Sequence, residues 1–420
     1  MENEDNLFIN NFTYLRQLRY LFSHSNKLSE IIYILGNNTC DLDSSICSYL
    51  LSIALNIKSE TIIYDNEQNP KLNFNSSKIY LPVLNIERGT LPFRVDVKYA
   101  FDKYGIEEND FWYISDEYLT KENLFQYSNF ISNNNKNKIK SSIILVDHNL
   151  LIEKLDYLSN FVIGIYDHHI ITNYNNNYKN LYLIDIRIPI GSCSTIILSE
   201  FFMKHFPSKL ISPLFALTAL LIDCRNFSKD YYGNRWVDLD KEVFEKIKSE
   251  IKDDKINMDE YYEEIDGVKH DVEKNLKFGF EPLLSKVQKY YEFNGFQIIW
   301  SAFYISYYDI RDKIGEEEML NKILEYYKNK DENEIKKILF VTNSPIDSNK
   351  ELYTIFNPIE VPKEFDDFKD EIENKDNFYS MEKKVFKDKG IVYYFTLNHV
   401  YTRKMVEPIL QKICFKINNI

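Results

Sequence analysis

The sequence predicts an α/β fold in two domains, a parallel-sheet N-terminal domain followed by a smaller α/β C-terminal one. Three observations carry this. Short apolar runs alternate with longer amphipathic segments through the first half, the pattern of a parallel sheet flanked by helices. At 420 residues the chain exceeds one ordinary domain. Hydrophobic residues make up 44% of it, enough for sizeable cores, with 32 Tyr and 29 Phe supplying much of that mass.

Taken in order, the first strand is expected over "IIYIL" (31–35) and the first helix over "SSICSYLLSIALN", with Ser44 as its cap. A strand "KIYLPVL" (78–84) and a helix "DVKYAFDKYG" ended by Gly105 come next. Three more strands are "SIILV" (142–146), "FVIGIY" (161–166) and "LYLID" (181–185), with polar loops at 133–138 and over "NYNNNYKN" (173–180). From Ser192 to about Phe227 the chain reads helical. We expect a first domain over 1–262, a linker at 263–271 and a second domain over 272–420. The latter has a strand at 296–306, a helix at 316–329, strands at 336–343 and 390–397, and a helix at 404–414. The acidic, poorly patterned stretch near 344–380 reads as a surface insertion or mobile loop.

The formal charge is −13, from 51 basic and 64 acidic residues. That argues against general binding to nucleic acid or to an anionic membrane, both of which need a positive field. A polyanionic substrate stays feasible where metals and a few placed cations meet it. The five cysteines form no CxxC pair and are too few for a disulfide framework, so a reducing compartment is expected. The start, "MENEDNLFIN", lacks a signal-peptide pattern. No apolar run approaches the roughly 18 residues that span a bilayer. A soluble, cytoplasmic protein is the expectation.

Several apolar segments end in the same chemistry. "IIYIL" leads to Asp41 and Asp43, "SIILV" to Asp147-His148-Asn149, "FVIGIY" to Asp167-His168-His169, and "LTALLI" to Asp223. A lone Asp at a strand end is most often a turn or cap residue, and a His pair most often splits between core and solvent. Four such endings together make that account poor. In an open parallel sheet, ligands bind beyond the carboxyl ends of the strands. Carboxylates gathered there need cations, because their repulsion would otherwise keep some protonated. Oxygen-rich sets with one or two imidazoles suit Mg²⁺, Mn²⁺ or Co²⁺.

The run "GNNTCDLDS", then "VDHN", "YDHH" and "GSCST", with "LLSKVQKYY" and "YTRKMVEPIL" downstream, resembles the DHH phosphoesterase family in order and spacing. The resemblance covers about residues 31–413. It points to the exopolyphosphatase branch, with yeast-type and prune-like proteins, which is related to the family II inorganic pyrophosphatases. It implies that Asp41, Asp43, Asp147, His168 and Asp223 are metal ligands, with Asp147 touching both of two cations. Asp167 would orient an imidazole, and His169 would face the substrate phosphate. Asn37, Asn85, Arg94, Lys289, Arg403 and Lys404 would bind the substrate phosphates, with the active site in the cleft between the domains. Pyrophosphatases of the family carry His where this chain has Asn37, and exopolyphosphatases carry Asn.

The expected activity is therefore release of orthophosphate from the end of inorganic polyphosphate by a metal-activated water. Two Mg²⁺ would serve, with Mn²⁺ or Co²⁺ as substitutes. Asp147, His169 and Asp167 are the expected catalytic residues, and the protein is expected to be a monomer or loose homodimer. The alternatives are an inorganic pyrophosphatase or short-chain polyphosphatase, a nuclease of the same family, and a prune-like regulator acting mainly through partners. The nuclease branch usually carries a GGGH signature, and this chain has no Gly-Gly pair.

Overall fold

The structure is a computed structural model. It describes residues 14–25, 27–66, 68–121, 124, 139–170, 178–253, 255–286, 288–293, 296–328, 338–347, 350–357, 368, 370–371, 378–386, 390–398 and 403–417. The expected loop at 133–138 and residues 173–177 of the other lie outside the described residues. Two compact units divide the chain, Met1–Val268 and Lys269–Ile420.

The first unit is built on strands β1 (Glu30–Leu35), β2 (Ile62–Tyr64), β3 (Pro70–Leu72), β4 (Lys78–Leu84), β5 (Trp112–Tyr113), β6 (Lys140–Val146), β7 (Val162–Asp167) and β8 (Leu183–Ile186). Six of them form one all-parallel sheet in the order β5-β4-β1-β6-β7-β8. β1 is buried from Ile31 to Leu35 and β7 throughout, which is why both read as continuous apolar runs rather than alternating ones. The strand order reverses between β1 and β6, so the ends of these two neighbours flank the topological switch point.

Helices of this unit are α1 (Tyr14–His24), α2 (Leu42–Lys58), α3 (Val95–Lys103), α4 (Cys193–Ile197), α5 (Pro213–Asp223), α6 (Asp238–Lys248) and α7 (Met258–His270). Three departures from expectation have clear causes. Asp41, not Ser44, caps α2, accepting from Ser44 N at 3.0 Å. The helical stretch 192–227 is broken, since α4 runs into a π-helical turn (Leu198–Phe202) and the chain opens before Pro213 starts α5. Pro207 and Pro213 each remove an N–H donor there. Residues 263–270, expected in a linker, are helical in α7, because Tyr261, Ile265 and Val268 recur at helical spacing and are buried. The ladder β2–β3 and helix α1, with Leu15, Leu18, Leu21 and Phe22 buried, were not anticipated.

In the second unit, β9 (Gln288–Phe293), β10 (Phe296–Ala302), β11 (Ile338–Asp347), β12 (Lys350–Asn357), β13 (Phe378–Phe386) and β14 (Gly390–Asn398) form a sheet in the order β13-β14-β12-β11-β10-β9. Only β10 and β11 pair in parallel. Helices α8 (Val272–Leu276), α9 (Glu281–Lys286), α10 (Tyr307–Ile314), α11 (Glu316–Lys328) and α12 (Arg403–Ile417) complete it. One core joins Ile298, Trp300 and Phe395 to Val406, Leu410 and Ile413 of α12, and another joins Ile299, Leu352 and Tyr394 to α9, α10 and α11. The sheet is thus covered on both faces. The expected insertion at 344–380 is corrected: it contains the end of β11, all of β12 and the start of β13. Leu352 and Tyr353 are buried in different cores, so "ELYTIF" shows no polar–apolar alternation to betray a strand. Residues 348–349, 358–367, 369 and 372–377 lie outside the described residues.

Candidate metal and phosphate site

The chemistry gathers beyond the carboxyl ends of β1, β6, β7 and β8. Asn37 follows β1, and its Nδ2 donates to Asp147 Oδ2, directly after β6, at 2.6 Å. Its Oδ1 accepts from Thr39 N at 2.9 Å and Cys40 N at 3.1 Å. Asn37 therefore folds the turn that presents Asp41 and Asp43, and ties that turn to Asp147 across the switch point. Thr39 Oγ1 lies 2.8 Å from Asp41 Oδ2. Asn85 Nδ2 donates to Gly36 O at 3.0 Å and Arg94 Nε to Thr39 O at 2.8 Å, so both buried side chains reach the backbone of the same turn.

Asp43 is buried on α2 and strongly oriented. Its Oδ1 accepts from Ser192 Oγ at 2.7 Å and Ser194 N at 3.0 Å, and its Oδ2 accepts from Cys193 N at 2.6 Å. Cys47 Sγ adds a contact to Oδ1 at 3.3 Å. Oδ2 faces His168 Nε2 at 3.8 Å. The His168 ring is aimed by its other nitrogen, Nδ1, which lies 3.1 Å from Ile190 O and so donates its proton to that carbonyl. This leaves Nε2 3.3 Å from Asp147 Oδ1.

Asp167 is fully buried and accepts from Asn149 Nδ2 at 2.7 Å, His168 N at 2.8 Å and His169 Nδ1 at 2.8 Å. Burial works against its charge, but the hydrogen bonds and charge of His169, with the charge of His168, outweigh it and hold the carboxyl below its usual range. The His169 ring is half exposed, with Nδ1 3.8 Å from Asp147 Oδ1.

Electrostatics at the centre run the other way. Burial first, then the charges of Asp43 and Asp41, push the Asp147 carboxyl well above the ordinary range. For His168, burial alone would lower the imidazole, yet Asp147 and Asp43 outweigh it and hold it up to about 11. Asp147 itself sits at φ +61°, a left-handed conformation that Asp and Asn tolerate better than other residues.

Among the described residues, Asp147, His168 and His169 form a group whose ligand atoms all lie within 4.8 Å of one another. His169, expected to face substrate, thus joins two expected metal ligands. Asp223 ends α5, partly buried, and is outside that group; burial first, then the charges of Asp240, Asp223 and Asp43, push up the neighbouring Cys224 thiol. Lys289 lies on β9, paired with Trp300, and Arg403 and Lys404 open α12; their side chains lie outside what is described. Sequence reasoning gave Asn149 of "VDHN" no part in holding Asp167, and the Ser192–Ser194 donors of "GSCST" no part in holding Asp43.

Gly191 is required by space. A Cβ there would lie 2.2 Å from Arg235 O and 2.6 Å from Cys224 Sγ. Gly191→Ala should lower stability by about 3 kcal/mol, since a backbone oxygen cannot step aside cheaply. An unchanged urea midpoint would contradict this.

No protein-family model matches the chain. In motif order, in sequence and in fold, the chain resembles the DHH-type phosphoesterases. Human "Exopolyphosphatase PRUNE1" is 25% identical over 275 residues, covering 65% of this chain and 52% of that protein. The Rattus norvegicus protein of the same name is 26% identical over 294 residues, covering 70% and 56%. This chain therefore spans about half the length of the curated relatives it matches. In fold it is similar to a putative family II inorganic pyrophosphatase from Methanococcus jannaschii. The TM-score is 0.52 at 19% identity, over 91% of this chain and 99% of that one.

Proposed function

We propose that the chain hydrolyses phosphoric anhydrides, and specifically that it is a metal-dependent exopolyphosphatase releasing orthophosphate from the end of inorganic polyphosphate. The observation that carries this is the grouping of Asp147, His168 and His169 at the switch point, with the Asn37 amide on Asp147. The names of its sequence relatives agree with it.

The residues fit a divalent cation. Asp43 and Asp147 are buried carboxylates of like sign with no lysine or arginine in ion-pair contact among the described residues, and His168 turns a ring nitrogen towards them. We propose Mg²⁺, with Mn²⁺ or Co²⁺ as substitutes, held by Asp41, Asp43, Asp147, His168 and Asp223. When bound, such ions polarise a phosphoryl oxygen and lower the pKa of a coordinated water. The protein's own part is orientation. Asp167 holds His169 Nδ1, so its Nε2 is the atom offered to a phosphate oxygen. Asn37, Asn85 and Arg94 keep the ligand turn rigid. Lys289, Arg403 and Lys404 would meet the charge of the polyanion, the Arg as a fork and the Lys pair as point charges. Among the described residues no helix is long and apolar enough to cross a membrane.

The nearest rival is an inorganic pyrophosphatase, the name carried by the structural neighbour. Orthophosphate release from pyrophosphate, tripolyphosphate and long-chain polyphosphate, each with Mg²⁺, Mn²⁺ and Co²⁺, separates the two. We expect tripolyphosphate and longer chains to be turned over faster than pyrophosphate. Faster turnover of pyrophosphate would favour the rival, and no release from any condensed phosphate would sink both.

A further inference from the structure

Four residues within one five-residue stretch aim two of the proposed ligands. Ile190 O receives His168 Nδ1, while Ser192 Oγ, Cys193 N and Ser194 N hold Asp43. Neither carboxylate nor imidazole could keep its direction if this segment moved. What fixes the segment lies on another element. Asp240, on the first turn of α6, has no exposed surface, and its carboxylate spends both oxygens on three donors. Oδ2 accepts from Gly191 N at 2.9 Å and Val237 N at 2.8 Å, and Oδ1 accepts from Thr195 Oγ1 at 2.5 Å. Gly191 and Thr195 bracket the three residues that hold Asp43. The same junction is closed from the other side by Arg235 O, against which Gly191 packs too closely for any side chain.

We infer that Asp240 is a positioning residue for the proposed metal centre: it clamps segment 190–195 at both ends and thereby sets the directions of Asp43 Oδ2 and His168 Nε2. The inference rests on the functional reading above only for what those two atoms bind. The clamp itself is a property of the chain. A buried carboxylate satisfied by three donors is costly to place, and a helix start alone does not call for one that also reaches a neighbouring segment. Outer groups of this kind commonly set metal affinity by 10–100-fold.

The hydrogen bonds, rather than the charge, are what the clamp uses. An amide at this position can still accept from Gly191 N and Val237 N, and donate to Thr195 Oγ1. Asp240→Asn should therefore keep most of the wild-type behaviour, whereas Asp240→Ala should not. Two measurements test this on the full chain. In the metal-free protein, amide exchange at Cys193 and Ser194 should quicken in Asp240→Ala, while β1 and β6 amides stay protected and Asp240→Asn stays near wild type. In Mn²⁺ titrations, Asp240→Ala should bind roughly 10–100-fold more weakly, with Asp240→Asn recovering most of the loss. Unchanged exchange in Asp240→Ala, or Asp240→Asn as poor as Asp240→Ala, overturns the inference. If Asp240→Ala does not fold, Thr195→Val takes its place, with Thr195→Ser expected to restore slow exchange; fast exchange in neither overturns the clamp. Should the wild type take up no Mn²⁺, the metal reading fails, and exchange at Cys193 and Ser194 still decides the clamp.

Discussion

Asp147→Asn should lower kcat for orthophosphate release by roughly three orders of magnitude, the scale on which loss of a central charge-stabilising group is felt, with the fold intact. Asp147 is the meeting point of the site. Its Oδ1 faces His168 Nε2 at 3.3 Å, its Oδ2 takes the Asn37 amide at 2.6 Å, and Asp43 and Asp41 press on it electrostatically. The amide of the variant occupies the same volume and can still accept from Asn37, but it is a poor ligand for a hard cation. The choice of substitution matters because φ at this position is +61°. Asn tolerates that conformation, whereas Ala would add about 1 kcal/mol of backbone cost and blur the result. Turnover and urea midpoint should be read together. Normal turnover in a folded Asp147→Asn protein would end the proposed scheme.

The site was legible in the sequence as far as strands could deliver it. "IIYIL", "SIILV" and "FVIGIY" are buried on both faces, so they stand out as apolar runs, and the residues just past each run fall at one edge of the sheet. Asp147 and the His168-His169 pair come directly from that logic. Asn37 was noticed for the histidine it replaces, but its bonds to Asp147 and to the Thr39 and Cys40 amides join two strands and leave no periodic trace. Asn85 and Arg94 read as phosphate contacts, and the bond that each also gives to the backbone of the ligand turn leaves no trace in the sequence either. Asp240 was invisible for a different reason. On its own helix it is an ordinary first-turn acid, and its partners Gly191 and Thr195 lie in a segment distant in sequence. β12 was lost because burial on both faces erases alternation in a stretch whose surroundings are acidic.

Mn²⁺ affinity should rise about 100-fold between pH 6 and pH 8, because each ion must displace roughly one proton and each proton is worth tenfold per pH unit. His168 is held up to about 11 in the metal-free protein, chiefly by Asp147 against the opposing effect of burial. A ligating imidazole must be neutral at the nitrogen it offers, and here that nitrogen is Nε2, since Nδ1 is engaged with Ile190 O. The same reasoning gives the sign for stability. A histidine whose folded pKa is raised from 6.5 to about 11 stabilises the metal-free fold fully below the lower value, and that contribution is lost as pH climbs through the upper one. Asp147, raised from 3.8 by burial and by Asp43 and Asp41, acts in the same direction: the fold loses stability as pH rises above the unfolded value. Metal-free protein should therefore weaken with increasing pH over the range in which the loaded protein gains. Titration calorimetry in buffers of different ionisation enthalpy reads the proton count directly. We expect close to one proton per ion in the wild type and a much flatter pH dependence in His168→Gln. Affinity independent of pH in the wild type would mean that the proton on His168 is not what the cation replaces.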